Sequence, residues 1–397
     1  MTEEFRAVKP GEVEKCLDLW GVVFERVGRA YFPPYFYGDP WFRRAYTRVC
    51  AVDGKLVSAV QVCERRVRVG DAELLMGGIG NVGTVEEFRG RGYSQRLLAD
   101  SARVMRDHRI DFSVLFTGIR PFYEKVLWRA VPQRMLNGAI RTDPPKPDPK
   151  YSIRICDWSA DLDAIRRIYD EFNAGRSFTT VRTPEYWKGY LPMRFGEPRF
   201  TLVAESDRGI AGYVFYGYDA PNCWLKEIGY LCGEEACAGA LIREAVSRAR
   251  EDGCESLNVN LPHEPEILSA VNEVAEKVES REPMGMMCRI TNMRSLSQRL
   301  IPELGRRARE RGVRDCAISL DTELGSLRFT IRNGKARLGA SNAIRVPLSQ
   351  SEFFRLLFGI KSAEDLGLSM PAGARGIIEA LFPPASGGFV FWLADHF

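Results

Sequence analysis

Met76-Gly-Gly-Ile-Gly-Asn-Val-Gly-Thr-Val85-Glu-Glu-Phe-Arg89-Gly-Arg-Gly92-Tyr-Ser-Gln95 is the stretch on which the reading of this 397-residue chain turns. An apolar run ends in a glycine-rich basic turn, after which Leu97, Leu98, Ala102 and Met105 recur at helical spacing. The order is strand, tight turn, helix N-terminus. Gly90 and Gly92 permit backbone angles closed to other residues, successive N–H groups point into one concavity, and the helix dipole adds positive potential. Such a turn suits an anion, and a pyrophosphate would fit it. Spacing excludes two common phosphate loops, since there is no GxxxxGK[ST] and no GxGxxG followed by an acidic residue on a second strand. The glycines at 77, 78, 80 and 83 either let a ligand approach the strand closely or loosen it and mark a bulge.

Working outward, Phe5 to Val8 reads as a strand, Val13 to Val27 as a helix, and Asp53-Gly54 as a hairpin turn between apolar runs. Phe112-Ser-Val-Leu-Phe116 supplies a further strand, so residues 1–143 read as an α/β unit with a mixed sheet. Arg141 to Lys150 holds four prolines, which favour an extended connector at 144–150. The same order then begins again over residues 151–291. Ile153-Arg-Ile-Cys156 is followed by a helix from Asp161 to Phe172 and by a hairpin around Asp207-Arg208-Gly209, flanked by Leu202-Val203-Ala204 and Ala211 to Phe215. That is a divergent tandem duplication. From residue 292 the texture changes to a smaller α+β domain, 292–397, with a helix from Leu296 to Arg311 and alternating strands around Asn333-Gly334. Two helices follow near Glu352 to Phe358 and Arg375 to Phe382, and the chain closes on an apolar strand, Phe389-Val-Phe-Trp-Leu393.

A hydrophobic fraction of 45% with 27% charged residues excludes collagen-like and low-complexity chains. The net charge of +4 is too mild to require a nucleic-acid partner, and Arg306-Arg307-Ala-Arg309-Glu-Arg311 has no aromatic neighbours for base stacking, so it reads as a solvated helix face. No stretch approaches the roughly 18 apolar residues of a membrane span, and the acidic N-terminus lacks an apolar core, so a cytoplasmic protein is expected. Ten cysteines occur without a CxxC, and Cys232 and Cys237 have no zinc-ligand companions, so no metal is expected and the thiols read as reduced.

Arg89-x-x-Gly92-x-Ser94, after the strand Val82 to Val85, resembles the acetyl-coenzyme A loop of GNAT-fold N-acetyltransferases, with Ser94 where glycine or alanine is usual. Arg120-Pro-Phe-Tyr123-Glu-Lys-Val-Leu-Trp128 is similar to the Phe-Tyr-x-x-x-Gly-Phe segment after the family's fifth strand, with Leu127 where glycine is usual. The whole chain, as two GNAT-like halves and a terminal domain that looks like a sterol-carrier-protein fold, resembles the enhanced intracellular survival (Eis) acetyltransferase family from end to end. The resemblance implies an N-acetyltransferase with acetyl-CoA as cosubstrate, contacted by Val82, Gly83, Thr84, Val85, Arg89, Gly90, Arg91, Gly92, Tyr93 and Ser94. It further implies Tyr123 as general acid, the Phe397 carboxylate as proton acceptor, a small-molecule amine or lysine side chain as acceptor, and a homo-hexamer. The second half reads as a degenerate copy, because its loop, Cys232-Gly-Glu-Glu-Ala-Cys-Ala-Gly239, offers two acids where a phosphate would sit. One cofactor per chain is expected.

Several roles stay open at this level. With a phenol near pKa 10 and a thiol near 8.5, full proton transfer from Tyr123 is uphill by about 2 kcal/mol, so donation and positioning stand level. Met76 to Val85 contains no carboxylate base, and Glu86 and Glu87 fall in the loop. An α-carboxyl is a weak base unless desolvation raises it or water relays the proton, whereas His396 titrates near neutrality but is equally read as structural. The cluster Tyr31-Phe-Pro-Pro-Tyr-Phe-Tyr37-Gly-Asp-Pro-Trp41 either walls an acceptor pocket through Phe36, Tyr37 and Trp41 or is a rigid packed loop. Two other classes of function remain, a non-catalytic acyl-CoA-binding scaffold and a lipid carrier with an apolar tunnel in residues 292–397.

Overall fold

Two dipeptides set hairpins where the sequence marks them. Asp53 and Gly54 take φ of 46° and 80°, and Asn333 and Gly334 take 48° and 69°, the positive pair that a two-residue hairpin requires. The computed structural model describes residues 2–143, 150–195, 197–282, 285–371, 373–385 and 387–397. Of the connector expected at 144–150, all but Lys150 lies outside the described residues.

The first unit runs β1 (Glu3–Ala7), α1 (Val13–Val23), β2 (Thr47–Val52), β3 (Lys55–Val69), β4 (Ala72–Thr84), α2 (Tyr93–Asp107), β5 (Phe112–Thr117), α3 (Arg120–Glu124), β6 (Arg129–Ala130) and β7 (Met135–Ile140). The second runs β8 (Ser152–Ile155), α4 (Trp158–Asn173), α5 (Pro184–Phe195), β9 (Thr201–Ser206), β10 (Gly209–Asp219), β11 (Asn222–Tyr230), α6 (Cys237–Glu251), β12 (Ser256–Val259), α7 (Pro265–Val274), β13 (Ala275–Arg281) and β14 (Gly285–Ile290). The third holds α8 (Met293–Glu310), β15 (Cys316–Thr322), β16 (Gly325–Arg332), β17 (Lys335–Leu338), β18 (Ile344–Pro347), α9 (Gln350–Leu357) and α10 (Ala374–Leu381).

The sheets have strand orders β1-β2-β3-β4-β5-β14-β6, β13-β7-β12-β11-β10-β9-β8 and β17-β16-β15-β18. In each seven-stranded sheet one neighbouring pair is parallel, β4 with β5 and β11 with β12, so both are mixed and follow one plan. The architecture is α/β, two seven-stranded mixed sheets followed by a smaller α+β unit with a four-stranded sheet. The halves exchange strands. β7 leaves the first unit to pair with β12 and β13, and β14 returns to pair with β5 and β6. Neither half therefore completes its sheet alone, and the joint is made of main-chain hydrogen bonds.

On α2, Leu97, Leu98 and Met105 have no exposure, and each side chain so buried contributes about 1.5–3 kcal/mol. In the third unit Leu300, Leu304, Leu320, Phe329 and Phe354 are likewise fully buried in one cluster, so side chains fill that core. Among the described residues no helix is long and apolar enough to cross a membrane.

Two expectations are corrected. The first helix ends at Val23 rather than Val27, because Phe24 leaves helical geometry and a turn leads into Gly28 at φ 71°. Residues 389–393 are not a sheet strand. They make a single bridge, Phe389 to Ser177, and then thread between the units on side-chain bonds.

Candidate active site

β4 carries the irregularity that its glycines leave open. Gly83 pairs with Ala59 and Gly80 with Gln61, so Asn81 and Val82 stand opposite one β3 residue. This is a bulge, with Asn81 at φ 55° and its Nδ2 donating to Gln61 Oε1 at 2.9 Å. Gly83 is small for packing, since a Cβ there would lie 3.1 Å from Trp20 on α1. β4 and β5 pair only from Met76–Phe112 to Gly78–Val114 and then part, leaving a wedge-shaped gap. The β5-facing backbone of β4 past Gly78 thus has no strand ladder.

At the open end of the gap lies a cleft of about 500 Å³. Val82, Thr84, Arg89, Gly90, Gly92, Tyr93 and Ser94 line it, with Tyr123 on the other wall. Gly90 and Gly92 take φ of 78° and 76° with nothing within 4 Å of a Cβ, so they are needed for backbone conformation rather than for room. Gly92 starts α2 without a side-chain cap, which leaves first-turn amides for a ligand. Ser94 Oγ lies 2.7 Å from Thr84 Oγ1, which lies 2.7 Å from Ser58 Oγ, so a hydroxyl chain ties the loop to the strand end. Ser94 keeps the place small and adds a tether. Gly83, Val85 and Arg91 do not line this cleft. Val85 faces the adjoining cleft with Val23, and Arg91 lies over Phe88 at 5.0 Å.

Tyr123 is 9% exposed and packs edge-on against Phe122, and burial pushes its phenol up to about 12. Leu127 takes φ 70°, so the turn keeps a glycine-like conformation despite the larger residue, while Gln350 Nε2 of the third unit donates to its carbonyl at 3.1 Å.

The other end of the gap is closed by the chain's own terminus. A Cβ on Gly78 would lie 2.3 Å from the Phe397 ring, and one on Gly80 would lie 3.1 Å from the Phe397 carboxyl carbon. Both glycines are thus occupied by close approach. Among the described residues no hydrogen bond or ion pair reaches that carboxylate. His396 stacks on Phe116 of β5 at 4.2 Å, and its Nε2 is buried without a partner among the described residues. Burial lowers its pKa to about 3, with Arg194 adding to the shift and Asp395 opposing it. A neutral imidazole of that basicity does not suit proton collection at neutral pH.

Phe36, Tyr37 and Trp41 do not form one wall. Phe36 is core, packed on Trp20 and Phe42. Tyr37 is exposed and its hydroxyl donates to Glu14. Trp41 stacks on Tyr186 of α5 at 4.9 Å, beside the buried pair of Arg65 and Asp39. The prolines make this a rigid joint between the halves. In the second half the loop acid Glu234 accepts from the Tyr151 hydroxyl at 2.8 Å and pairs with Lys150 Nζ at 3.4 Å, so a carboxylate with its own partners stands where the first half has Arg89. Sequence reasoning missed Arg182 and Glu227, which hold Asp395 near the terminus. They lie far from it in the chain, and no motif marks them.

Comparison with known proteins agrees with this geometry. Residues 4–131 match the model of an acetyltransferase (GNAT) domain. The chain is similar to a probable N-acyltransferase from Enterococcus faecalis V583, with TM-score 0.72, 19% identity and coverage of 99% of this chain and all of that one. It is also similar to a GCN5-related N-acetyltransferase from Anabaena variabilis (0.70, 12%) and to Eis1 from Mycobacterium abscessus (0.62, 14%), each covering 100% of both chains. No curated protein sequence matches. At these identities the structural likeness speaks for the fold, and it runs the length of the chain. The chain therefore carries an acetyltransferase (GNAT) domain over residues 4–131.

Proposed function

We propose that this chain moves an acetyl group from acetyl-CoA to the amine of a small molecule or a lysine side chain by direct attack on the thioester. The observation that carries the reading is the gap between β4 and β5, with a glycine anion loop at one end and, at the other, the Phe397 carboxylate, unpaired among the described residues. The loop amides and Arg89 hold the pyrophosphate, and the open backbone of β4 past Gly78 takes the pantetheine arm and donates to the oxyanion as it forms. The Phe397 carboxylate, directly or through water, takes a proton from the acceptor ammonium, and the neutral amine so formed attacks the thioester carbon as the thiolate of CoA leaves. One acetyl-CoA per chain is the expected load, since the second half presents Glu234 and Glu235 in its loop. By the same resemblance to the Eis family, we read the third unit as sterol-carrier-protein-like and the assembly as a homo-hexamer.

Tyr123 acts here by hydrogen bonding to the departing sulfur. With its phenol at about 12 and a thiol near 8.5, complete transfer is uphill by about 5 kcal/mol, more than a free phenol would face. Tyr123→Phe is expected to lower kcat on the order of tenfold to a hundredfold, the worth of one hydrogen bond to a charged atom, with acetyl-CoA Kd within about twofold. Because folding raises this pKa, the hydroxyl stays protonated as pH rises past 10. The kcat–pH profile is expected to show no alkaline limb from Tyr123 below about pH 11.

Arg89→Ala is expected to weaken acetyl-CoA binding by about 1.5–3 kcal/mol through loss of a charge-assisted contact, read by calorimetry. Unchanged binding would remove the loop from the site. The reading as a whole is tested by thiol release from acetyl-CoA over aminoglycosides, polyamines, arylamines and lysine peptides. Amine-dependent release that falls in Tyr123→Phe supports it, and silence across the panel favours an acyl-CoA-binding scaffold.

A further inference from the structure

Both halves part a pair of parallel strands, and the C-terminal segment enters both gaps. In the second half, β11 and β12 pair from Asn222–Ser256 to Leu225–Val259 and then separate. Asn260, just past β12, donates from Nδ2 to the Phe391 carbonyl at 3.0 Å, and Trp392 Nε1 donates to Asn173 Oδ1 at 3.0 Å. On the β11 side of the gap stands Glu227. Its Oε1 accepts from Arg182 Nη1 and from the Tyr213 hydroxyl, each at 2.8 Å. Arg182 turns its remaining edge to Asp395, with Nε to Oδ1 and Nη2 to Oδ2 both at 3.0 Å, and the Tyr186 hydroxyl adds a bond to Oδ1 at 3.1 Å. The side chains of Arg182, Glu227 and Asp395 have no solvent exposure. The rings of Tyr169 and Trp187 lie 4.1 and 4.8 Å from the guanidinium carbon.

The gap that receives a cofactor in one half thus holds a stretch of the chain itself in the other. Phe397 lies two residues beyond Asp395. The Tyr190 hydroxyl donates to the His396 carbonyl at 3.0 Å, and Phe397 then lies against Gly78 and Gly80. A buried charge group that packs a terminus is costly to assemble, and replacing it with apolar side chains is often no less stable, so stability alone is a poor reason for it. What it does supply is a bidentate, directional clamp on the residue that aims the last peptide bonds.

We propose that Arg182 is a positioning residue which, with Glu227 and Asp395, clamps the C-terminal segment in the gap of the second half so that the Phe397 carboxylate is delivered to the gap of the first. The degenerate half is in this view the holder of a catalytic group. The inference rests on the reading of Phe397 as proton acceptor only for its kinetic arm.

The test uses the full chain with Asp395→Asn, which keeps the shape of the side chain and leaves Arg182 paired with Glu227, so no lone charge is buried. Tyr186→Phe, which removes a single bond to the same carboxylate, serves as a milder second variant against misfolding. Carboxypeptidase A is expected to release Phe397 from Asp395→Asn at least tenfold faster than from wild type, and from Tyr186→Phe at an intermediate rate. Acetyl-CoA Kd is expected to stay within twofold. Turnover is expected to fall at least tenfold, and to fall no further when Asp395→Asn is added to a chain lacking Phe397. Release of Phe397 at the wild-type rate from both variants overturns the clamp, and so does an undiminished effect of Asp395→Asn in the chain lacking Phe397. Faster release with full turnover supports the clamp and removes the proton-acceptor role instead.

Discussion

Removal of Phe397 is expected to lower kcat by about a hundredfold or more while acetyl-CoA Kd stays within about twofold. Positioned acid–base groups contribute on the order of a hundredfold to ten-thousandfold, and water replaces such a group only in part. The asymmetry follows from placement, since the carboxyl carbon lies 3.1 Å from a Cβ position on Gly80, deep in the gap, while the anion loop lies at its mouth. Deletion removes a ring as well as shifting a carboxylate by about 3.3 Å, one residue of extended chain, so two companions separate these effects. Phe397→Ala keeps the carboxylate and opens the space against Gly78, and is expected to cost less than the deletion. Adding one glycine after Phe397 keeps the ring and moves the charge, and is expected to cost as much as the deletion. The check is single-turnover acetyl transfer beside direct measurement of cofactor affinity. A fully active deletion ends the carboxylate role.

What the sequence made legible was local. Asp53-Gly54, Asn333-Gly334 and the Gly90 and Gly92 turn are each settled by conformations that few residues adopt, and all three have the positive φ they imply. The helical spacing of Leu97, Leu98 and Met105 likewise appears as the buried face of α2. What was not legible is which chain segment completes which surface. The apolar strands β7 and β14 satisfy either sheet equally well by composition, and their exchange depends on how the halves dock. Phe389 to Leu393 has the pattern of a strand, yet its partners are the Asn173 and Asn260 side chains and one bridge to Ser177, so tertiary placement overrides propensity. The aromatic cluster carried the right chemistry for a pocket wall, but packing against Tyr186 and Tyr190 of the other half uses those faces for a joint. Gly78 and Gly80 look from sequence like room for a ligand, and the room is taken by Phe397. Arg182 shows the limit most clearly, because nothing near it in sequence announces a partner at Asp395.

The second large effect is expected from acid. His396 has a pKa lowered to about 3 from an ordinary 6.5, first by burial and then by Arg194, with Asp395 pulling weakly the other way. Between those values the unfolded chain binds a proton that the folded chain refuses, so the contribution is whole above pH 6.5 and is lost progressively as pH falls toward 3. At pH 4.5 the loss is at most about 3 kcal/mol, two pH units at roughly 1.4 kcal/mol each. His396→Phe retains a ring between Phe116 and Phe391 and removes both the titration and the unpartnered Nε2, so it is expected to match or exceed wild type at pH 7.5. Denaturant unfolding at pH 7.5 and 4.5 is the check, and the two proteins are expected to diverge at the lower pH, by up to that amount. Part of the strain has a shorter route to relief. Withdrawing two terminal residues exposes the imidazole without disturbing either sheet, and local opening of this kind precedes global unfolding. Turnover is therefore expected to collapse on acidification before the fold does, and His396→Phe is expected to hold its activity to lower pH than wild type. Parallel acid profiles for the two proteins would mean that His396 is not kept neutral in the gap.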